Sequence, residues 1–291
     1  MTAFPLTETG TIARVVIKHA RDAFVSRDRV AAEWQPLAFT GPPDFARAIG
    51  EYDAFETAIA AAGAEVLRLP PHPGVTLDSI YVRDAAIVSP AGVILAAMGK
   101  PARATEPAAQ RAAYESWGLP IAGAIEPPGR LEGGDAVWLD DRTFVVGRGY
   151  RTNDDGIRQV RALLGPGVDV IAVPLPHWRG AGDVFHLMSI LSPVDRDLAV
   201  VYSPLLPVPF REWLLDRGVA LVEVPDAEFD SMGANVLAIA PRRCVMVDGN
   251  RETRARLEHA GADVTVYDGR EISLKGGGGP TCLTRPILRR P

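Results

Sequence analysis

The stretch DAVWLDDRTFVVGRGYRTNDDGIRQVRALLGPGVDVIAV, from Asp135 to Val173, decides the fold. Residues 135–139 and 143–146 are rich in β-branched and aromatic side chains and flank the polar turn Asp140-Asp141-Arg142, which reads as a hairpin. Asn153 can cap a helix whose Ile157, Val160, Leu163 and Leu164 share one face, and Gly165-Pro166-Gly167 ends it. The apolar run 168–173 is then a buried strand. The unit is hairpin, helix, strand.

Working outward, the same order recurs on both sides. Downstream it runs 186–191, a turn at Asp195-Arg196-Asp197, 198–202, a helix near 210–217 and 220–224; then 235–240, a turn at Pro241-Arg242-Arg243, 244–247, a helix over 251–260 and 263–267. Upstream, 80–88, the turn 89–92, 93–98, a helix over 108–117 and a short strand near Ile121 form another copy. The first copy shows strand 13–18, helix 52–62 and strand 65–69, with half of its hairpin not visible. Its long stretch 24–45, rich in Pro and aromatic residues, is read as a lid over a site or as a contact in a homodimer. A unit of this kind buries one sheet face against its helix and cannot stand alone. About five of them therefore predict an α/β fold, a five-fold pseudosymmetric ββαβ propeller, in one domain spanning 1–291. The ordinary alternative is an open doubly wound sheet, but that fold alternates single strands with helices and has no place for the hairpins.

The 291 residues are 47% hydrophobic, with 36 acidic and 31 basic side chains and a formal charge of -5. The basic residues are scattered, so no footprint for nucleic acid exists, and a small-molecule partner is expected. No apolar run approaches the roughly 20 residues needed to cross a bilayer, and the N-terminus lacks the pattern of a secretory signal, so neither membrane insertion nor export is expected and the reading is cytoplasmic. The two cysteines, Cys244 and Cys282, are expected as free thiols. They and the five histidines make no metal-binding spacing, so neither metal nor cofactor is implied.

The chemistry concentrates in Gly276-Gly277-Gly278-Gly279-Pro280-Thr281-Cys282. By itself this could be a flexible loop before a core cysteine. Glycines also let backbone approach a ligand and present N–H groups to it, while a cationic neighbour can hold a cysteine as thiolate. Asp84 is flanked by apolar residues, where an unpaired charge is costly, so a cationic partner such as Arg83, Arg151 or a substrate is expected.

Together with Leu131-Glu132-Gly133-Gly134-Asp135, Arg151-Thr152-Asn153, His186-Leu187 and Gly233-Ala234-Asn235, in that order, the closing GGGGPTCLTRPI resembles the guanidino-modifying enzymes of the pentein superfamily. The resemblance covers most of the chain and implies a cysteine nucleophile at Cys282, a general acid and base at His186, and guanidinium-holding carboxylates at Asp84 and Glu132. It also implies that Arg151 binds a substrate carboxylate and that Asp78 closes over an α-amino end, while the glycine run through Gly279 approaches the substrate. The residue types suit the task independently of family. Attack on a resonance-stabilised guanidinium carbon needs a soft nucleophile, carboxylates for the planar nitrogens and an acid for the departing amine. His19, His72, His177 and His259 lie in no matching motif.

Two departures bear on substrate. Arg83 stands where dimethylarginine hydrolases usually carry glutamate, and Met188 stands where arginine deiminases have an aspartate that grips the guanidinium. An apolar Met188 in place of an acceptor implies an Nω-substituted guanidine. The expected reaction is hydrolysis of arginine or a methyl- or hydroxyarginine-like compound to a ureido product. Amidine transfer to an amine and a catalytically silent binding protein are the alternatives.

Overall fold

The computed structural model describes residues 6–183 and 185–291. The first module holds β1 (Thr11–Ile17), helices α1 (Ala20–Phe24), α2 (Arg27–Glu33) and α3 (Phe45–Ala60), and β2 (Glu65–Arg68). The second has β3 (Ala86–Ser89), β4 (Gly92–Leu95), α4 (Glu106–Ser116) and β5 (Ile121–Ala124). The third has β6 (Ala136–Trp138), β7 (Thr143–Arg148), α5 (Asp154–Leu164) and β8 (Asp169–Pro174). The fourth has β9 (Leu191–Asp195), β10 (Leu198–Val201), α6 (Val208–Asp216) and β11 (Ala220–Glu223), with the short α7 (Asp226–Phe229) after it. The fifth has β12 (Leu237–Ala240), β13 (Arg243–Val247), α8 (Arg251–His259) and β14 (Asp263–Tyr267), and β15 (Thr284–Arg290) follows.

These strands make five three-stranded sheets. In modules two to five the first two strands pair antiparallel, and the third returns parallel across its helix. Module one is completed from the far end of the chain: β15 pairs antiparallel with β1, from Thr11 opposite Arg290 to Ile17 opposite Thr284, and β2 pairs parallel with β1. The missing half of its hairpin is therefore β15, which no local pattern could reveal.

In module three, the Asn153 side chain accepts from Gly156 N and so caps α5, and Gly165 at φ 78° ends it. Ile157, Val160 and Leu164 are buried with Phe144 and Val146, each such burial stabilising by about 1.5–3 kcal/mol. The central strands β7 and β10 are almost wholly buried because helices and neighbouring modules cover both faces.

Strand starts differ from the expected ones in a regular way. Short 3-10 turns over Leu77–Ile80, Gly133–Asp135 and Leu187–Ser189 occupy what reads in sequence as the opening of a strand. The stretch 24–45 carries α2, capped by the Ser26 hydroxyl, and α3 begins earlier than expected because Asp44 caps it. Among the described residues no helix is long and apolar enough to cross a membrane.

Candidate active site

Each module sends one polar side chain into the turn ahead of a hairpin: Asp84 before β3, Glu132 before β6, His186 before β9, Asn235 before β12 and Cys282 before β15. Five bonds link these turns in succession. Arg83 N donates to Cys282 O (3.2 Å), Gly133 N to Asp84 O (2.8 Å), Leu187 N to Asp135 Oδ1 (2.9 Å), Ser192 Oγ to Ala234 O (2.7 Å) and Thr281 N to Asn235 Oδ1 (3.0 Å).

Cys282 and His186 line one cavity of roughly 390 Å³, whose walls include Gly134, Met188, Asn235, Gly276 and Gly277. Trp178, Phe185, Phe229 and Met232 add apolar lining beside the charged Arg179, Asp183, Asp230 and Lys275, and Ala38 and Thr40 enter from the stretch before α3. That stretch is tied to the glycine loop, since Thr40 N donates to Lys275 O at 2.8 Å. The stretch before α3 thus packs against the nucleophile loop.

Cys282 Sγ accepts a hydrogen bond from Asn235 Nδ2 at 3.4 Å. Burial and then the Asp84 carboxylate push the thiol above its ordinary range, while the Asn235 and Thr281 donors pull it back. The sequence suggests a thiolate held by a cationic neighbour; in the unliganded site the balance instead favours the neutral thiol. Cys244, buried in β13, is pushed up to about 12 by burial with Asp263 and Asp195 nearby, and is inert by comparison.

His186 Nε2 lies 2.7 Å from Glu132 Oε2, and its Nδ1 is 3.9 Å from Asp84 Oδ1. Burial opposes charge on this ring, but Asp84, Asp135 and Glu132 outweigh it and raise the pKa to about 9. The imidazolium is thus the resting form at neutral pH.

Glu132 is fully buried and its oxygens are occupied. Oε1 accepts from Gly99 N (2.7 Å) and Lys100 N (3.2 Å), and Arg151 Nη1 sits 3.1 Å from Oε2. Burial would raise its pKa, yet the His186 hydrogen bond and charge and the Arg151 charge together depress it well below the usual carboxylate range. Both Glu132 and Arg151 therefore stand behind the cavity wall, paired with one another, rather than on its surface.

Asp84 finds its cation in Arg103, a residue sequence reasoning does not single out: Nη1 is 2.5 Å from Asp84 Oδ2. Arg103 also pairs with Glu106 Oε2 at 2.8 Å and donates to Tyr81 O. Arg83, the adjacent candidate, instead turns to Thr281 O (2.7 Å) and Glu8 (3.3 Å). Asp84 Oδ1 is buried and has no hydrogen-bond partner among the described residues. A Cβ on Gly134 would fall 2.5 Å from His186 Nδ1 and 2.8 Å from Asp84 Oδ1, so this glycine is what opens the cavity onto both groups.

Of the remaining expected residues, Met188 lines the cavity. Gly279 packs on Asn235, where an added Cβ would meet Oδ1 at 2.5 Å. Asp78 pairs with Lys100 Nζ at 2.6 Å, away from the lining. Asp84, Glu132 and His186 also offer one ligand atom each within 4.8 Å of one another. Arg103 and Arg151 already pair with the two carboxylates and the ring is protonated, so the charge of the cluster is matched from within. Asn235 and Gly134 both fall inside motifs that are visible in sequence, whereas Lys100, Arg103 and Glu106 lie in a short polar stretch that carries no periodic signal.

Comparison with known proteins agrees with this geometry. Residues 44–289 match the family described as N,N dimethylarginine dimethylhydrolase, eukaryotic. An N(G),N(G)-dimethylarginine dimethylaminohydrolase of Streptomyces coelicolor is 31% identical over 242 residues, covering 83% of this chain and 86% of that one. Among solved structures, a dimethylarginine dimethylaminohydrolase from Pseudomonas aeruginosa, a cysteine-to-serine mutant complexed with citrulline, superposes with a TM-score of 0.76 at 23% identity, covering 96% of this chain and 99% of the other. SxtG, an amidinotransferase from Microseira wollei, gives a TM-score of 0.80 at 17% identity over 99% and 98% of the two chains. From the family match over most of its length and the identity to the Streptomyces protein, the chain belongs to the dimethylarginine dimethylaminohydrolase family, within the penteins.

Proposed function

We propose that the protein is a hydrolase of C–N bonds in guanidinium groups, working through a covalent intermediate on Cys282. The observation that carries this reading is a thiol and a protonated histidine on one cavity, with an Asp84 carboxylate oxygen, buried and unpartnered among the described residues, 3.9 Å from the histidine ring behind Gly134. A guanidinium seated against Asp84 Oδ1 neutralises the charge that most opposes ionisation of Cys282 after burial itself, so the substrate favours its own nucleophile. With the substrate bound the thiol releases its proton to solvent, the thiolate adds to the guanidinium carbon, and His186 gives its proton to the departing amine as that C–N bond breaks. A thiouronium remains on Cys282. Neutral His186 then takes a proton from water, which attacks the same carbon, and the C–S bond breaks to release a ureido product. Glu132, itself held by Arg151, keeps His186 in place and, with Asp84 and Asp135, favours its charged form. In the same reading the five modules, linked turn to turn, close as one propeller domain.

The test is a screen of arginine, its methylated and hydroxylated forms and simple guanidines in labelled water, with Cys282→Ser in parallel. Turnover with label in the ureido product, lost in the serine variant, supports the reading. Substantial activity of Cys282→Ser overturns the mechanism, and consumption of an amine without incorporation of label identifies amidine transfer instead. Alkylation by a haloacetamidine should fall on Cys282 and spare Cys244.

A further inference from the structure

The family resemblance implies that Asp78 receives the α-ammonium of an amino-acid substrate, but an ammonium of the chain itself already sits there. Lys100 Nζ lies 2.6 Å from Asp78 Oδ2, in the approach of an ion pair rather than of an aligned hydrogen bond, and donates to Leu37 O at 2.9 Å. Asp78 is buried, and the Lys100 side chain is 19% exposed. The backbone N–H groups of Gly99 and Lys100 are fixed on Glu132 Oε1, so the lysine is anchored at both ends. Leu37 immediately precedes Ala38, which lines the cavity.

The turn that carries Asp78 reaches the Cys282 wall through its last residue. Tyr81, which closes the turn beginning at Leu77, packs on Gly278, where an added Cβ would meet the Tyr81 ring at 2.5 Å and Cys282 Cβ at 3.1 Å. Next to Ala38, just behind the cavity lining, therefore lie a carboxylate that is already neutralised, a backbone carbonyl that is already bonded and a fixed positive charge. A second ammonium there would have to displace Lys100 or lie beside it, and like charges that close are repelled.

Building on the guanidinium reading above, we infer that Lys100 stands in for a substrate ammonium, so that the preferred substrate is a guanidine whose tail carries no ammonium, such as a guanidino acid. Lys100 is on this account a specificity-determining residue. Its ammonium also holds the backbone at Leu37, next to the residues that cover the cavity.

The test compares pairs that differ only in the α-amino group: L-arginine against δ-guanidinovalerate, and the Nω-methylated forms of each. For the wild type, kcat/KM should favour the member without the amino group by tenfold or more. Lys100→Met should move that ratio at least tenfold toward the amino member, because Asp78 and Leu37 O become available to it. Changes in the covering stretch act on both members of a pair and cancel in the ratio, which separates specificity from a structural effect. A wild type that uses both members equally or prefers the amino acid overturns the inference, and so does a ratio unchanged by Lys100→Met. Absence of turnover for all four compounds, with no labelling of Cys282 by chloroacetamidine, overturns the guanidinium reading itself and this inference with it.

Discussion

Asn235 divides its amide between the two residues that end the glycine loop: Nδ2 donates to Cys282 Sγ at 3.4 Å, while Oδ1 accepts from Thr281 N at 3.0 Å and Thr281 Oγ1 at 2.8 Å. The backbone bond fixes the loop, and the donor faces the sulfur, where it stabilises the thiolate more than the thiol.

Replacing Asn235 by alanine should therefore raise the apparent pKa of Cys282 further and slow its alkylation at neutral pH by about tenfold, the size of one hydrogen bond to a charged group. The rate of iodoacetamide labelling against pH measures both. An unchanged profile would mean that the sulfur does not depend on this donor. Because Thr281 N and Oγ1 lose their acceptor, a stability loss of about 1–3 kcal/mol should accompany the change, read from denaturant midpoints.

His186 makes the pH dependence specific. Its folded pKa, about 9, lies above the ordinary value of 6.5, so the stability contributed by its ion pairs is fully present below pH 6.5 and lost as pH rises through about 9. kcat/KM of the free enzyme should decline over the same upper range, because the proton for the departing amine disappears. Glu132→Gln keeps the shape but removes a charge that holds His186 protonated, and should move this limb toward neutrality while lowering kcat by about a hundredfold or more. Titration of the imidazole by NMR in both proteins checks the assignment; a ring that titrates near 6.5 in the wild type would contradict it.

Gly134→Ala tests the opening between the acid and the carboxylate. Its Cβ would lie 2.5 Å from His186 Nδ1 and 2.8 Å from Asp84 Oδ1, distances that force one of them to move. Overpacking of this kind costs about 1–3 kcal/mol, and turnover should fall by far more than the modest drop in Tm suggests. Near-normal activity in a stably folded Gly134→Ala protein would remove Asp84 and His186 from a shared site.

Much of this was legible because each module states its own local pattern. The stretch from Asp135 to Val173 displays hairpin, cap, amphipathic helix and strand in a row, and the structure keeps that order in module after module. What failed was non-local or aperiodic. Half of the first hairpin is supplied by β15, with Arg290 lying 279 residues along the chain from its partner Thr11, so no window of sequence contains the pair. Arg103 was invisible for another reason. A buried arginine between Asp84 and Glu106 is specified by charge partners that meet only in the fold, and Lys100-Pro101-Ala102-Arg103 reads as an ordinary polar loop. For Glu132 the sequence shows a carboxylate suited to a substrate guanidinium but not the four groups that occupy it in the fold.

The pairing of β15 with β1 has a consequence for how the protein is made. Cys282 sits just ahead of β15, and Arg285 within that strand donates to Arg83 O at 2.6 Å and Gly133 O at 3.3 Å, bracing the turns that carry Asp84 and Glu132. While the chain is still emerging from the ribosome, the earlier modules can form their hairpins, but the thiol and the brace for its acidic partners are translated only after all of those modules. The nascent protein is thus chemically silent until synthesis passes β15. A ribosome-stalled chain ending at Leu283 should fail to label selectively with a haloacetamidine even though its cysteine is present.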